Sequence, residues 1–141
     1  MATPYNKIHG IFLNKITDYD ILKYINSERE NLLNHYLLSA CTKFKRVCKI
    51  DLFDKDDDLQ QFNQDLDDEI IEILAIGEIY YWLSPKVLNT ENLKNALNTK
   101  DFQQSSLANL LKELQSLRDS LYKEFKQNII NYSYDTAKPL A

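Results

Sequence analysis

The sequence predicts an all-α fold: a small helical bundle built on a central buried helix, with two long amphipathic helices and extended terminal arms. Three observations predict it. First, 141 residues contain only 2 Gly and 3 Pro, too few turn formers for a β sandwich or a doubly wound sheet. Second, residues 66–87 read LDDEIIEILAIGEIYYWLSPKV. Small or apolar residues fall at Leu66, Ile70, Ile73, Leu74, Gly77 and Tyr81, while Ile71, Ile79 and Trp82 add apolar surface on other sides, so this helix must be covered most of the way round. Third, Leu107, Leu110, Leu111, Leu114, Leu117, Leu121, Phe125, Ile129 and Tyr132 keep three-and-four spacing for about seven turns. The length fits one domain able to bury its own core without disulfides.

Taken in order, residues 1–16 read as an N-terminal arm, with alternation at Ile8, Gly10, Phe12 and Asn14. Thr17 with Asp20 and Ser27 with Glu30 have the form of capping boxes, which predicts a short helix over 18–25 leading into a long one over 28–47. The long helix carries Leu32, Leu33, Tyr36, Leu37, Ala40, Phe44 and Val47 on one face. Its last turns hold Lys43, Lys45, Arg46 and Lys49, the sign that suits the negative end of a helix dipole. Residues 51–68 form an acidic connection with room for a helical turn or two through Leu59, Phe62 and Leu66.

The central helix is expected over about 67–84. Asp67, Asp68 and Glu69 crowd its first turn and Pro85 closes it, matching the preferences of helix starts and stops. Gly77 in its middle costs about 1 kcal/mol relative to Ala, which predicts a close crossing by another backbone there. Trp82, Gly77, Leu114 and Phe125 are the expected core anchors. A short helix follows over 88–97. From Asn128 the chain reads NIINYSYDTAKPLA, and residues 131–141 are expected to be an extended tail beyond the 17–130 bundle. Tyr132 and Tyr134 alternate like a strand before Pro139 blocks further pairing, so this tail should dock on a partner through those three residues.

Charge is unevenly spread: residues 1–50 hold 8 basic and 4 acidic side chains, residues 51–72 hold 1 and 10, and residues 73–141 hold 8 and 7, for a net −4. Such a chain lacks the clustered cations of a sequence-reading nucleic-acid binder. Tyr122, Phe125, Tyr132 and Tyr134 interleave with Lys123 and Lys126, a mixture that could stack bases, but two lysines are too few. Cys41 and Cys48 lie seven apart, about 10 Å along a helix, too far for a disulfide, so reduced thiols and intracellular synthesis are expected. The start shows no apolar leader, and Glu72 and Glu78 interrupt the most hydrophobic window, so no membrane span is expected.

No constellation for chemistry emerges. Asp54, Asp56, Asp58 and Asp65 stand at positions one, three, five and twelve of an EF-hand-like loop, but Leu59 occupies the place that wants Gly. His9, His35, Cys41 and Cys48 lack metal-ligand spacing. There is no GxSxG and no glycine-rich phosphate cradle. Neither a cofactor nor a metal is expected, and the chain reads as a non-enzyme.

Several runs carry a likeness: Asp67-Asp68-Glu69-Ile70 with Leu74-Ala75, Trp82-Leu83-Ser84-Pro85-Lys86, Asn92-Leu93, Asp101-Phe102, Ser105 with Ala108-Asn109, Leu114, Leu117-Arg118 and Tyr132-Ser133-Tyr134. Over residues 66–134 the pattern resembles the head-tail connector proteins of tailed bacteriophages, the small helical adaptor and head-completion proteins of the neck. The resemblance implies a structural virion protein, synthesised in the host cytoplasm and placed at the head-tail junction. It implies a homo-oligomeric ring, commonly of twelve subunits, that contacts the portal protein and other neck or tail proteins and lets DNA pass without reading its sequence. Adaptor, stopper and tail-terminator positions all fit. A different class also fits the residues: a small helical regulatory protein that binds a host protein through its aromatic end.

Overall fold

A computed structural model describes residues 2–17, 30–97 and 104–137. The described chain is mostly helical, in the order β1 Thr3–Pro4, α1 Tyr5–Thr17, α2 Glu30–Phe44, β2 Lys55–Asp56, β3 Gln61–Phe62, α3 Asp68–Leu97 and α4 Gln104–Ala137. It is a small helical bundle with a minute sheet at one end. The predicted short helix over 18–25 and the start of the helix over 28–47 lie outside the described residues.

Helix α3 is the centre of the bundle, and α1, α2 and α4 all pack on it. Asp67 starts it by accepting a 2.9 Å hydrogen bond from the Ile70 N–H, which satisfies one of the donors a helix start leaves free. From Ile70 to Ile79 every α3 side chain is buried except that of Glu72. Gly77 sits where α2 and α4 meet over α3: a Cβ there would lie 2.7 Å from the Phe125 ring and 2.8 Å from the Ala40 Cβ. The expected close approach is thus made by an aromatic ring and a methyl group, not by a bare backbone.

Helix α3 does not stop at Pro85 but runs on to Leu97, so the separate helix expected over 88–97 is its continuation. Proline removes one N–H from the ladder, and its ring is exposed, away from the packed face. Side chains on either side of it add bonds to the carbonyls flanking that of Tyr81, which loses its donor. The Ser84 hydroxyl donates to the Tyr80 carbonyl at 2.8 Å and Lys86 Nζ to the Trp82 carbonyl at 3.4 Å.

The expected N-terminal arm is instead β1 followed by helix α1. Tyr5, Ile8, His9 and Phe12 are buried, a three-and-four spacing that outweighs the apparent alternation, while Gly10 is exposed. The Phe12 ring meets Trp82 edge-on at 5.4 Å. The acidic connection forms a hairpin in place of the expected helical turns: β3 pairs antiparallel with β2 on one side and β1 on the other. Asp56 shapes its turn by accepting from the Asp58 and Leu59 N–H groups at 2.9 and 3.1 Å, and Gln60 takes a positive φ of 53°. Thr3 binds the N-terminal strand to the α3 entrance, donating to the Gln64 carbonyl at 3.0 Å and accepting from the Leu66 N–H at 2.9 Å.

The expected extended tail is helical over its described residues. Residues 131–137 continue α4 as helix, because Phe125, Ile129 and Tyr132 keep the helical stripe facing the bundle and no turn former interrupts it. Pro139 lies outside the described residues.

Candidate functional site

The most unusual chemistry in the molecule is buried. His9 of α1, Asn34 of α2 and Glu78 of α3 converge between the helices. His9 Nδ1 lies 3.1 and 3.0 Å from the two carboxylate oxygens of Glu78, and its Nε2 lies 2.6 Å from Asn34 Oδ1. Glu78 is 0% exposed and His9 4%. Each arrives by an ordinary helical pattern: His9 follows Ile8 on the inward side of α1, and Glu78 stands between Gly77 and Ile79 in the most buried part of α3. An imidazolium serves both neighbours as a donor, neutralising the carboxylate. Burial raises the Glu78 carboxyl above its ordinary value, while the hydrogen bond from His9 and its charge pull the other way.

This cluster has the parts of an acid–base relay, with His9 and Glu78 both shut off from solvent. Cys41 is fully buried, and burial pushes its thiol up to about 12, which makes the thiolate inaccessible near neutral pH. Among the described residues, every buried side-chain nitrogen or oxygen has a hydrogen-bond partner, so nothing polar waits in the core for a ligand. Also among the described residues, no group of three His, Cys, Asp or Glu side chains is placed to hold a metal ion. No described helix is long and apolar enough to cross a membrane.

The EF-hand-like acids act locally. Asp54 accepts from Asn63 Nδ2 at 2.9 Å and Gln64 Nε2 at 3.2 Å, which lowers its carboxyl. Asp57 pairs with Lys55 Nζ at 2.7 and 2.9 Å and accepts from the Tyr5 hydroxyl at 3.1 Å.

Of the three residues expected to dock the tail, Tyr132 belongs to the chain's own core. Its ring meets Phe44 edge-on at 5.0 Å, and its hydroxyl oxygen accepts from the Lys49 N–H at 3.0 Å. Tyr134 is 74% exposed, with Ile130, one turn earlier on α4, at 46%. Trp82, Gly77, Leu114 and Phe125 are all buried around α3 and α4.

Open grooves lie on the surface of the described residues. One of about 240 Å³ lies between α3 and α4, lined by Glu69, Glu72, Ile73, Asn128 and Asn131. Another, about 340 Å³, lies between α2 and α3 and is lined by Ser39, Thr42, Lys43, Arg46 and Tyr81. The sequence does not reveal the buried trio because His9 and Glu78 are 69 residues apart, and Glu78 reads there as an interruption of the hydrophobic window. A carboxylate inside an otherwise apolar run was the available signal. No family model, curated protein or solved structure matches this chain.

Proposed function

We propose that the protein is a structural subunit of a bacteriophage head-tail connector, assembled as a homo-oligomeric ring between portal and tail. The observation that carries the reading is the exposed apolar pair Ile130 and Tyr134 on the last turns of α4, beside a bundle whose described residues converge on no open catalytic cleft. Aromatic residues that remain exposed at the end of a rigid helix supply large contact area at low entropic cost. The likeness to neck proteins supports the same reading, although Ile70, Leu74, Ala75, Trp82, Leu83 and Leu114 of its motif are core residues. They specify the bundle rather than its partners. Leu88 and Leu110 add exposed apolar surface on α3 and α4, suited to lateral contacts in a ring.

Native mass spectrometry of the purified chain and electron microscopy of virions test the proposal. The expected result is a closed ring and neck density that accommodates the bundle. Tyr134→Ala with Ile130→Asp should leave the fold intact and abolish assembly. A chain absent from virions would overturn the reading. The same exposed pair also suits a regulator that binds a host protein. That reading requires a defined host partner lost in the same double variant, with no ring at any concentration.

A further inference from the structure

The groove between α2 and α3 has a composition at odds with the acidic chain around it. Ser39, Thr42 and Lys43 lie on the last turns of α2, and Arg46 follows in the turn after Phe44. Across from them stands Tyr81 of α3, and among the described residues no carboxylate lines the groove. Among the described residues, neither Lys43 nor Arg46 forms an ion pair, while Lys15, Lys55 and Arg118 each reach a carboxylate. The end of α2 contributes about half a negative charge through its dipole, less than the two full positive charges in the groove. Helix-end compensation therefore accounts for only part of this cluster.

Tyr81, the aromatic member of the lining, rests on other rings. Tyr81 meets Phe125 edge-on at 6.4 Å and Tyr80 at 5.0 Å, and Tyr80 stacks on Tyr122 at 4.8 Å. Lys126 Nζ lies 4.5 Å over the Tyr122 ring.

We propose that the groove lined by Ser39, Thr42, Lys43, Arg46 and Tyr81 binds a phosphate ester. Arg46 offers a planar fork that pairs with two phosphate oxygens and Lys43 a point charge. The Tyr81 hydroxyl is a further donor. The Ser39 and Thr42 hydroxyls donate to the His35 and Leu38 carbonyls at 3.2 and 2.9 Å, and each can rotate toward a bound oxygen. The phosphate can come from a free nucleotide or from a nucleic-acid strand. The inference does not depend on the neck reading.

The test is a titration of the full chain, followed by amide NMR, with inorganic phosphate, a nucleoside monophosphate and a single-stranded oligonucleotide. Shifts are expected at residues 39–46 and 81. Lys43→Gln with Arg46→Gln, both exposed positions, should weaken binding at least tenfold with helix content unchanged. If a strand is the source, the oligonucleotide binds more tightly than the monophosphate, and its log–log salt slope falls by about 1.4 in the double variant, about 0.7 per lost contact. If a free anion is the source, the monophosphate binds as tightly as the oligonucleotide. Absence of shifts at these residues with all three probes, or binding unchanged in the double variant, overturns the proposal.

Discussion

Replacing Gly77 by Ala should destabilise the protein, against the intrinsic preference of a helix. The new Cβ would lie 2.7 Å from Cε1 and Cζ of Phe125 and 2.8 Å from the Ala40 Cβ, where carbons in contact keep roughly 3.5–4.0 Å. Each neighbour must therefore retreat by about 1 Å. Both are 0% exposed, and they belong to different helices, so α2 and α4 are pushed from α3 together. Overpacking of this kind costs about 1–3 kcal/mol, and the two-sided clash puts this case near the top of the range. The propensity of Ala offsets about 1 kcal/mol, leaving a net loss of about 2 kcal/mol, or about 6–8 °C in melting temperature at this chain length. Gly10→Ala is the matched control: its Cβ would meet nothing within 4 Å, so it should stabilise by about 0.5–1 kcal/mol. Thermal and urea unfolding followed by circular dichroism measure both. A Gly77→Ala protein as stable as Gly10→Ala would refute the close crossing.

Three further outcomes are expected. His9→Leu leaves Glu78 buried without its cation, costing about 3–5 kcal/mol near neutral pH. Because burial raises the Glu78 carboxyl above its ordinary 4.5, its contribution to stability is present below that value and lost as pH rises through the higher folded-state value. Urea midpoints should therefore show the His9→Leu deficit shrinking at pH 4, and a pH-independent deficit would contradict the pairing. Tyr132→Phe removes the acceptor for the Lys49 N–H and should cost about 1 kcal/mol, whereas truncation before Tyr132 should unfold the chain. A truncated protein with native helix content would return Tyr132 to the surface. In thiol labelling at mildly alkaline pH, half-buried Cys48 should react first and Cys41 only on unfolding, as mass spectrometry of the labelled peptides will report.

The parts of the fold legible in the sequence were those whose patterns repeat. The α4 stripe through Leu111, Leu114, Leu121, Phe125 and Tyr132 is buried as its spacing predicts, and so is the apolar run of α3. The Asp67 cap was also readable, since it depends on a donor three residues away. What was missed depended on distant partners. α1 is short, and two spacings compete at Ile8, Gly10 and Phe12. The strands are two residues each, below the length at which alternation can be read. Pro85 ordinarily ends a helix, but its ring faces away from the packed side and α3 continues past it. The α2–α3 groove was invisible for the same reason: Lys43 and Arg46 look like dipole compensation until Tyr81 is placed opposite them.

The uninterrupted course of α3 through Pro85 also sets how its amide protons should exchange with solvent. Upstream of the proline, Ile70 to Leu83 lie under α1, α2 and α4, which take their main packing surface from this one helix. No subset of the other helices closes a core without it, so these amides can open only when the whole bundle opens. Downstream, Leu88 and Asn89 are exposed, and those turns can fray at far lower cost. Proline has no amide proton and leaves a gap in the hydrogen-bond ladder just ahead of this change. One continuous helix should therefore show two exchange rates, globally limited up to the buried Val87 and locally limited in the exposed turn that follows.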